Sequence, residues 1–170
     1  MRLKERQACR LGISDFQFWD NALKFRDGSA APQGSPEEIL AAGKKMYAEL
    51  SPETAEFISL MFENGLFDVL AKEGKAPGGY CTGLEDYGYP FIFSNFNSTS
   101  GDVDVLTHEA GHAFADYTAT KTVPVHALRC PTMEGAETHS MSMEFLTAPW
   151  HHLFFGPQTE KYELSHAEDA

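Results

Sequence analysis

"DVDVLTHEAGHAFADY", Asp102 to Tyr117, carries the string His108-Glu109-Ala110-Gly111-His112. Asp102 and Asp104 read as N-cap or first-turn acids, and Val105, Leu106 and Ala113 give apolar flanks, so a helix is expected from about Asp102 to Thr120. On a helix, residues four apart share one face about a turn apart, which lets His108 and His112 aim both imidazoles at one ion. Glu109 projects beside them, within reach of a water on that ion without being a ligand. These are the mechanics of an H-E-x-x-H helix. Zinc lowers the pKa of its bound water to about 7, and the carboxylate takes the proton as the water attacks a carbonyl. Gly111 costs about 1 kcal/mol of helix propensity against alanine, so a packing or access reason for it is expected.

A zinc site needs at least three protein ligands. The class that places a third histidine six residues after the second requires glycine and histidine where this chain has Ala115 and Thr118, and is excluded. Downstream, "PTMEGAETHSMSMEF" (131–145) offers Glu134, Glu137, His139 and Glu144, and the connector before it offers His126. Helical spacing puts Glu137, Ser140, Met141 and Glu144 on one face, with Glu134 sharing part of it. Acids within an apolar segment are rare unless paired or bound to a cation. Spacing alone leaves Glu134 and Glu137 both open.

Around these segments the chain is punctuated clearly. Ser35-Pro36 with Glu38, and Ser51-Pro52, are helix starts. Ile39, Leu40, Gly43, Met46, Tyr47 and Leu50 follow the first, and Phe57, Ile58, Met61 and Phe62 the second. Asn64-Gly65 interrupts the second helix, which Leu66, Phe67 and Leu70 predict to resume. "GKAPGGYCTGLEDYGYP" (74–90) reads as a glycine-tyrosine loop, and "PFIFSNFN" (90–97) as a strand. "PWHHLFFG" (149–156) is a short aromatic helix or turn, and a last helix begins in "PQTEKYELSHAEDA". The expected class is mainly α with a small β element (α+β). Residues 1–34 form an N-terminal helix and linker and 35–170 the core of one partial domain.

The formal charge of −12 excludes nucleic acid and anionic membrane as partners, since both need basic patches. No run approaches a membrane span, and no apolar stretch follows the basic N-terminus. Three widely spaced cysteines, Cys9, Cys81 and Cys130, suit reduced thiols and a cytoplasmic location.

"HEAGH" followed by "EGAETHSMSMEF" resembles the oligoendopeptidase F and thimet-oligopeptidase family of zinc metallopeptidases. The oligoendopeptidase F branch is the better likeness, because "GGYCTGLEDYGYPFIFSNFNSTSGDVDVLTHEAGHAF" follows its glycine-tyrosine-cysteine turn and strand into the zinc helix. The likeness runs from about Ser35 to Phe155. It implies a zincin-like core in which the zinc helix follows an edge strand and a second helix bears the third ligand. It implies one Zn2+ on His108, His112 and Glu137, with Glu109 as general base. Glu137 enters because the family pattern E-x-x-S-x-x-x-E is matched by Glu137, Ser140 and Glu144. Short peptides are the implied substrates, with Phe93, Ser94, Asn95 and Phe96 offering backbone hydrogen bonds along the edge strand and Gly78 and Gly79 forming a flap.

Whole members of that family are several times longer, and their transition-state-stabilising histidine and tyrosines follow the Glu137 helix. The expectation is therefore a catalytic-core fragment whose partner is the remainder of the peptidase chain. The alternative is a truncated zinc-binding fragment with no activity. His151, His152 and His166 do not match the family pattern and receive no catalytic role.

Overall fold

The computed structural model describes residues 2–169. The two helix starts form as their sequences dictate. Ser35 Oγ accepts from the Glu38 N–H while the Glu38 carboxylate accepts from the Ser35 N–H at 2.7 Å, opening α2, Pro36–Leu50. Ser51 and Thr54 cap α3, Pro52–Glu63, in the same reciprocal way. Thr54 also donates to the Tyr47 carbonyl at 2.7 Å, which fixes the elbow between the helices.

The helix predicted to resume after Asn64-Gly65 is instead a strand, β1, Phe67–Leu70. The cause is a C-terminal cap. Gly65 adopts φ +62°, its N–H bonds the Phe62 carbonyl, and the Leu66 N–H reaches back to Met61. That pair of bonds satisfies the last carbonyls of α3 and turns the chain away. The glycine-tyrosine stretch also differs from expectation, because it contains β2, Tyr80–Leu84. The expected strand is β3, Tyr89–Phe96.

β3 is not an edge strand. The sheet order is β1-β3-β2, with β1 parallel and β2 antiparallel to β3. Pairings such as Phe67 with Ile92 and Tyr80 with Phe93 occupy β3 on both sides, so the free edges belong to β1 and β2. The burial of β3 alternates as a one-face strand requires, with Pro90, Ile92, Ser94 and Phe96 buried.

Helix α4, Gly101–Thr122, packs against β2 and β3. Asp102 ties its start to the strand before it by accepting from the Asn97 and Ser98 N–H groups at 2.9 and 2.8 Å. Val103, Leu106, Ala110 and Ala113 enter one core with Met46, Tyr47, Phe57, Met61, Ile92 and Phe96. Helix α5, Met133–Leu146, is capped by Thr132 and lies against α4. After a turn, α6, His152–Phe155, and α7, Thr159–Asp169, complete the fold. The N-terminal helix α1, Arg2–Leu11, is joined to α7 by a two-pronged Arg10–Glu168 ion pair at 2.8 and 3.0 Å. No described helix is long and apolar enough to cross a membrane.

Gly111 sits where α4 and α5 cross. A methyl group built there would lie 2.6 Å from Ser140 Cα and 3.0 Å from both the His139 carbonyl oxygen and Met143 Cβ. Two of those three atoms are backbone, so the overlap is relieved only by moving a helix. Gly111→Ala is expected to lower stability by about 1–2 kcal/mol net, because overpacking costs more than the roughly 1 kcal/mol gained in helix propensity. Chemical unfolding of parent and variant measures it; a variant as stable as the parent would show that the crossing is not tight.

Candidate metal centre

Helix geometry places His108 and His112 on the face of α4 turned to α5, with ring centroids 4.9 Å apart and nearly perpendicular. From α5, Glu137 Oε2 comes within 3.2 Å of His108 Nε2 and 3.7 Å of His112 Nε2. One ligand atom from each of the three lies within 4.8 Å of the others, and they are the single such group among the described residues. All three are partly exposed, so the group faces a surface from which a metal and a substrate can approach. The donor set of two imidazoles and one carboxylate suits a catalytic zinc, which keeps a fourth position open.

The surrounding bonds hold the donors in place. Ser140 Oγ donates to Glu137 Oε2 at 2.9 Å, which fixes the carboxylate from its own helix. His108 Nδ1 lies 2.6 Å from Glu144 Oε1, two turns further along the same face of α5. An acceptor there assigns the proton to Nδ1 and frees Nε2 for a metal. His112 is biased to the neutral form, because burial and the neighbouring His108 both lower its pKa. A neutral imidazole is the form that binds metal.

Glu109 lies on the β2 side of His108. It is 9% exposed, and burial raises its pKa, while His108 and the Cys81 backbone pull the other way and Glu137 adds a smaller rise. Its neighbour β2 runs along α4. A Cβ on Gly79 would touch Val105, Cys81 is level with Glu109, and a Cβ on Gly83 would lie 3.3 Å from the Asp116 carboxylate. Glycine at 79 and 83 thus lets the sheet edge close on the helix.

Other residues singled out in the sequence fall outside this group. His126 forms an exposed 2.5 Å pair with Glu85, and Glu134 is exposed at the start of α5. Gly78, Gly79, Ser94 and Asn95 border one cavity of about 500 Å³ together with Lys75 and Val105. Asn95 holds the Gly78 segment by donating to the Ala76 and Gly78 carbonyls at 2.8 and 3.0 Å. Phe96 is instead buried in the core, and Phe93 stacks on Tyr80 at 4.8 Å.

The sequence profile of Peptidase family M3 matches residues 44–167. The chain belongs to that family. Among solved structures, PZ peptidase A, described with an inhibitor, shares 52% identity over 99% of this chain and 30% of its own, with a TM-score of 0.91. An oligoendopeptidase F from Bacillus anthracis shares 49% identity over 99% of this chain and 31% of its own, with a TM-score of 0.92. A further oligoendopeptidase F structure matches at 49% identity and a TM-score of 0.92 over 99% of this chain and 30% of that one. The chain thus spans about a third of the length of these relatives. No match is found among curated protein sequences. The fold is the mostly helical, zincin-like core of the family with its small three-stranded sheet.

Sequence reasoning expected the helix α7 but assigned none of its side chains to the site. His166 Nε2 lies 2.9 Å from the second oxygen of Glu144, and Tyr162 donates to Asp104 at 2.5 Å. No periodic signal marks such contacts, since they join residues 22 and 58 positions apart. His151, 3% exposed, has no hydrogen bond at Nδ1, and burial, helped by His166, pushes its pKa down to about 4.

That depression has a definite sign. Between about pH 6.5 and 4 the unfolded imidazole takes a proton that the folded one refuses, so stability falls as pH drops through this window. By linkage, moving from pH 7 to pH 4.5 should cost on the order of 2–3 kcal/mol through this residue. Denaturant unfolding of parent and His151→Leu at both pH values is expected to show a smaller acid-induced loss in the variant. Equal losses would assign the acid sensitivity to other groups.

Proposed function

We propose that the chain is the zinc-holding catalytic core of a metalloendopeptidase that hydrolyses peptide bonds in short oligopeptides. The convergence of His108, His112 and Glu137 beside the buried carboxylate of Glu109 carries this reading. These three would hold one Zn2+, which when bound supplies a Lewis acid for the scissile carbonyl and an acidified water.

The remaining work belongs to the chain's own side chains. Glu109 accepts the proton of the attacking water and returns one to the leaving amine. Burial raises its proton affinity, which suits a base working near neutral pH. Ser140 keeps Glu137 aimed at the imidazoles, and Glu144 keeps His108 in the tautomer whose Nε2 is free. An extended peptide would align along the open edge of β2 rather than along Phe93–Phe96, whose strand is paired on both sides. That edge runs past Glu109, so backbone pairing there would present a scissile carbonyl to the centre. Gly78 and Gly79, at the start of β2, would let the peptide backbone approach closely. Three free cysteines accord with a cytoplasmic setting.

A second reading, zinc binding without turnover, has its support in the chain's 30% coverage of its relatives. One set of measurements separates the two. The purified chain is expected to hold about one zinc and to cleave a quenched short peptide in a chelator-sensitive way. Glu109→Gln should retain the metal and lose at least 10²–10⁴-fold in rate, the usual contribution of a general base. His112→Ala should lose the metal. A Glu109→Gln variant that cleaves at the parent rate would remove Glu109 from the chemistry, and a parent with zinc but no turnover would favour the second reading.

A further inference from the structure

Helix α7 reaches the metal centre through a single carboxylate. Glu144 uses one oxygen on His108 Nδ1 at 2.6 Å and the other on His166 Nε2 at 2.9 Å. The carboxylate is thus clamped between an imidazole that would bind metal and one that would not. The His166 ring is itself held in place, edge-on to Phe145 at 5.6 Å and tilted against Tyr162 at 5.7 Å. Tyr162, one turn earlier, anchors α7 to the first turn of α4 through Asp104. Side-chain exposures of 14% for His166 and 17% for Glu144 leave little room for water to replace either partner.

We propose that His166 is a positioning residue for the metal centre: by fixing the second oxygen of Glu144, it sets the orientation of His108 and so the affinity for zinc. This rests on the zinc reading above. A carboxylate with one oxygen free can rotate about its last bond, and its hold on His108 Nδ1 weakens in direction if not in length. Bonding both oxygens removes that freedom. Partners hydrogen-bonded directly to a ligand, as Glu144 is to His108, are worth 10–100-fold in metal affinity, and His166 acts through that partner. Among the described residues, the acid paired with His166 is Glu144. The other acid facing its neighbourhood, Asp104, is engaged by Tyr162, and Glu163 lies 3.8 Å from His151 instead.

The test uses zinc affinity of the full chain by chelator competition, the visible spectrum of the Co2+-substituted chain, and thermal unfolding of the metal-free form. His166→Leu deletes the hydrogen bond, and His166→Gln offers an amide N–H at the place of Nε2. The expected result is zinc binding several-fold weaker in His166→Leu with an altered cobalt spectrum, and recovery of most of the affinity in His166→Gln. A packing role alone would lower the melting temperature of both metal-free variants alike without separating them in zinc affinity, and would overturn the proposal. So would His166→Leu binding zinc as tightly as the parent. A parent that takes up no zinc overturns the zinc reading and this inference together, whereas a zinc-binding parent with an indifferent His166 overturns this inference alone.

Discussion

The close crossing of α4 and α5 at Gly111 is the constraint on which the site depends. Side chains of opposing helices ordinarily hold the axes 8–10 Å apart. Here a backbone atom of Ser140 occupies the space a Cβ would need. That approach brings Glu137 within 3.2 Å of His108, a distance a carboxylate on a more remote helix would not reach. On the far side of α4, Gly43 of α2 makes room for the Leu106 side chain, whose Cδ2 would lie 2.7 Å from a Cβ there. With α2 close on one side and α5 on the other, α4 has little freedom to rotate, and its two imidazoles keep one heading.

This arrangement concentrates acids that would otherwise repel. Glu109, Glu137 and Glu144 all approach the histidine pair, in a chain of formal charge −12. Buried or half-buried carboxylates are unfavourable unless hydrogen-bonded or matched by positive charge. Each here has donors: Ser140 for Glu137, two imidazoles for Glu144, the Cys81 backbone for Glu109. Ser140 and the Cys81 N–H are uncharged and the two imidazoles share one carboxylate, so the cluster has room for more positive charge. A divalent cation would supply it, which is why the site reads as one built for an ion.

Much of this was legible in the sequence because it is local. The helix starts at Ser35 and Ser51 follow from short side-chain-to-backbone bonds, and the register of His108 and His112 follows from helical periodicity. Glu137 could be named only through family likeness, since Glu134 shares part of the same face and spacing does not separate them. The errors have physical causes too. β1 has four residues, and its Leu66-Phe67 start continues the apolar pattern of α3, so only the left-handed Gly65 betrays the break. β2, "YCTGL", contains a glycine and lies among exposed residues, giving no strong strand signal. The edge-strand expectation for β3 came from the family likeness, and nothing in the sequence revealed the two strands that flank it. The contact of His166 with Glu144 was beyond periodicity altogether, because it depends on how α7 folds back over α5.

Three glutamates on two helices show how little the residue type decides. Glu109 and His108 are adjacent, yet helical rotation of about 100° per residue turns one toward the sheet and the other toward α5. Against β2 the carboxylate loses water, and its proton affinity rises. Glu137 and Glu144 are seven residues apart on α5, two turns along the same face. The first meets the Nε2 atoms of both histidines and remains 43% exposed, open to incoming ligands. The second meets Nδ1 on the far side of the same ring, 17% exposed and closed off by α7. A single imidazole thus has a carboxylate at each nitrogen, one toward solvent and one toward the interior. The inner one is bonded on both oxygens and cannot easily turn, whereas the outer one is held by Ser140 and stays open to solvent. That asymmetry follows from how α5 lies against α4 and α7 closes over Glu144, and it gives each of three chemically identical groups different surroundings.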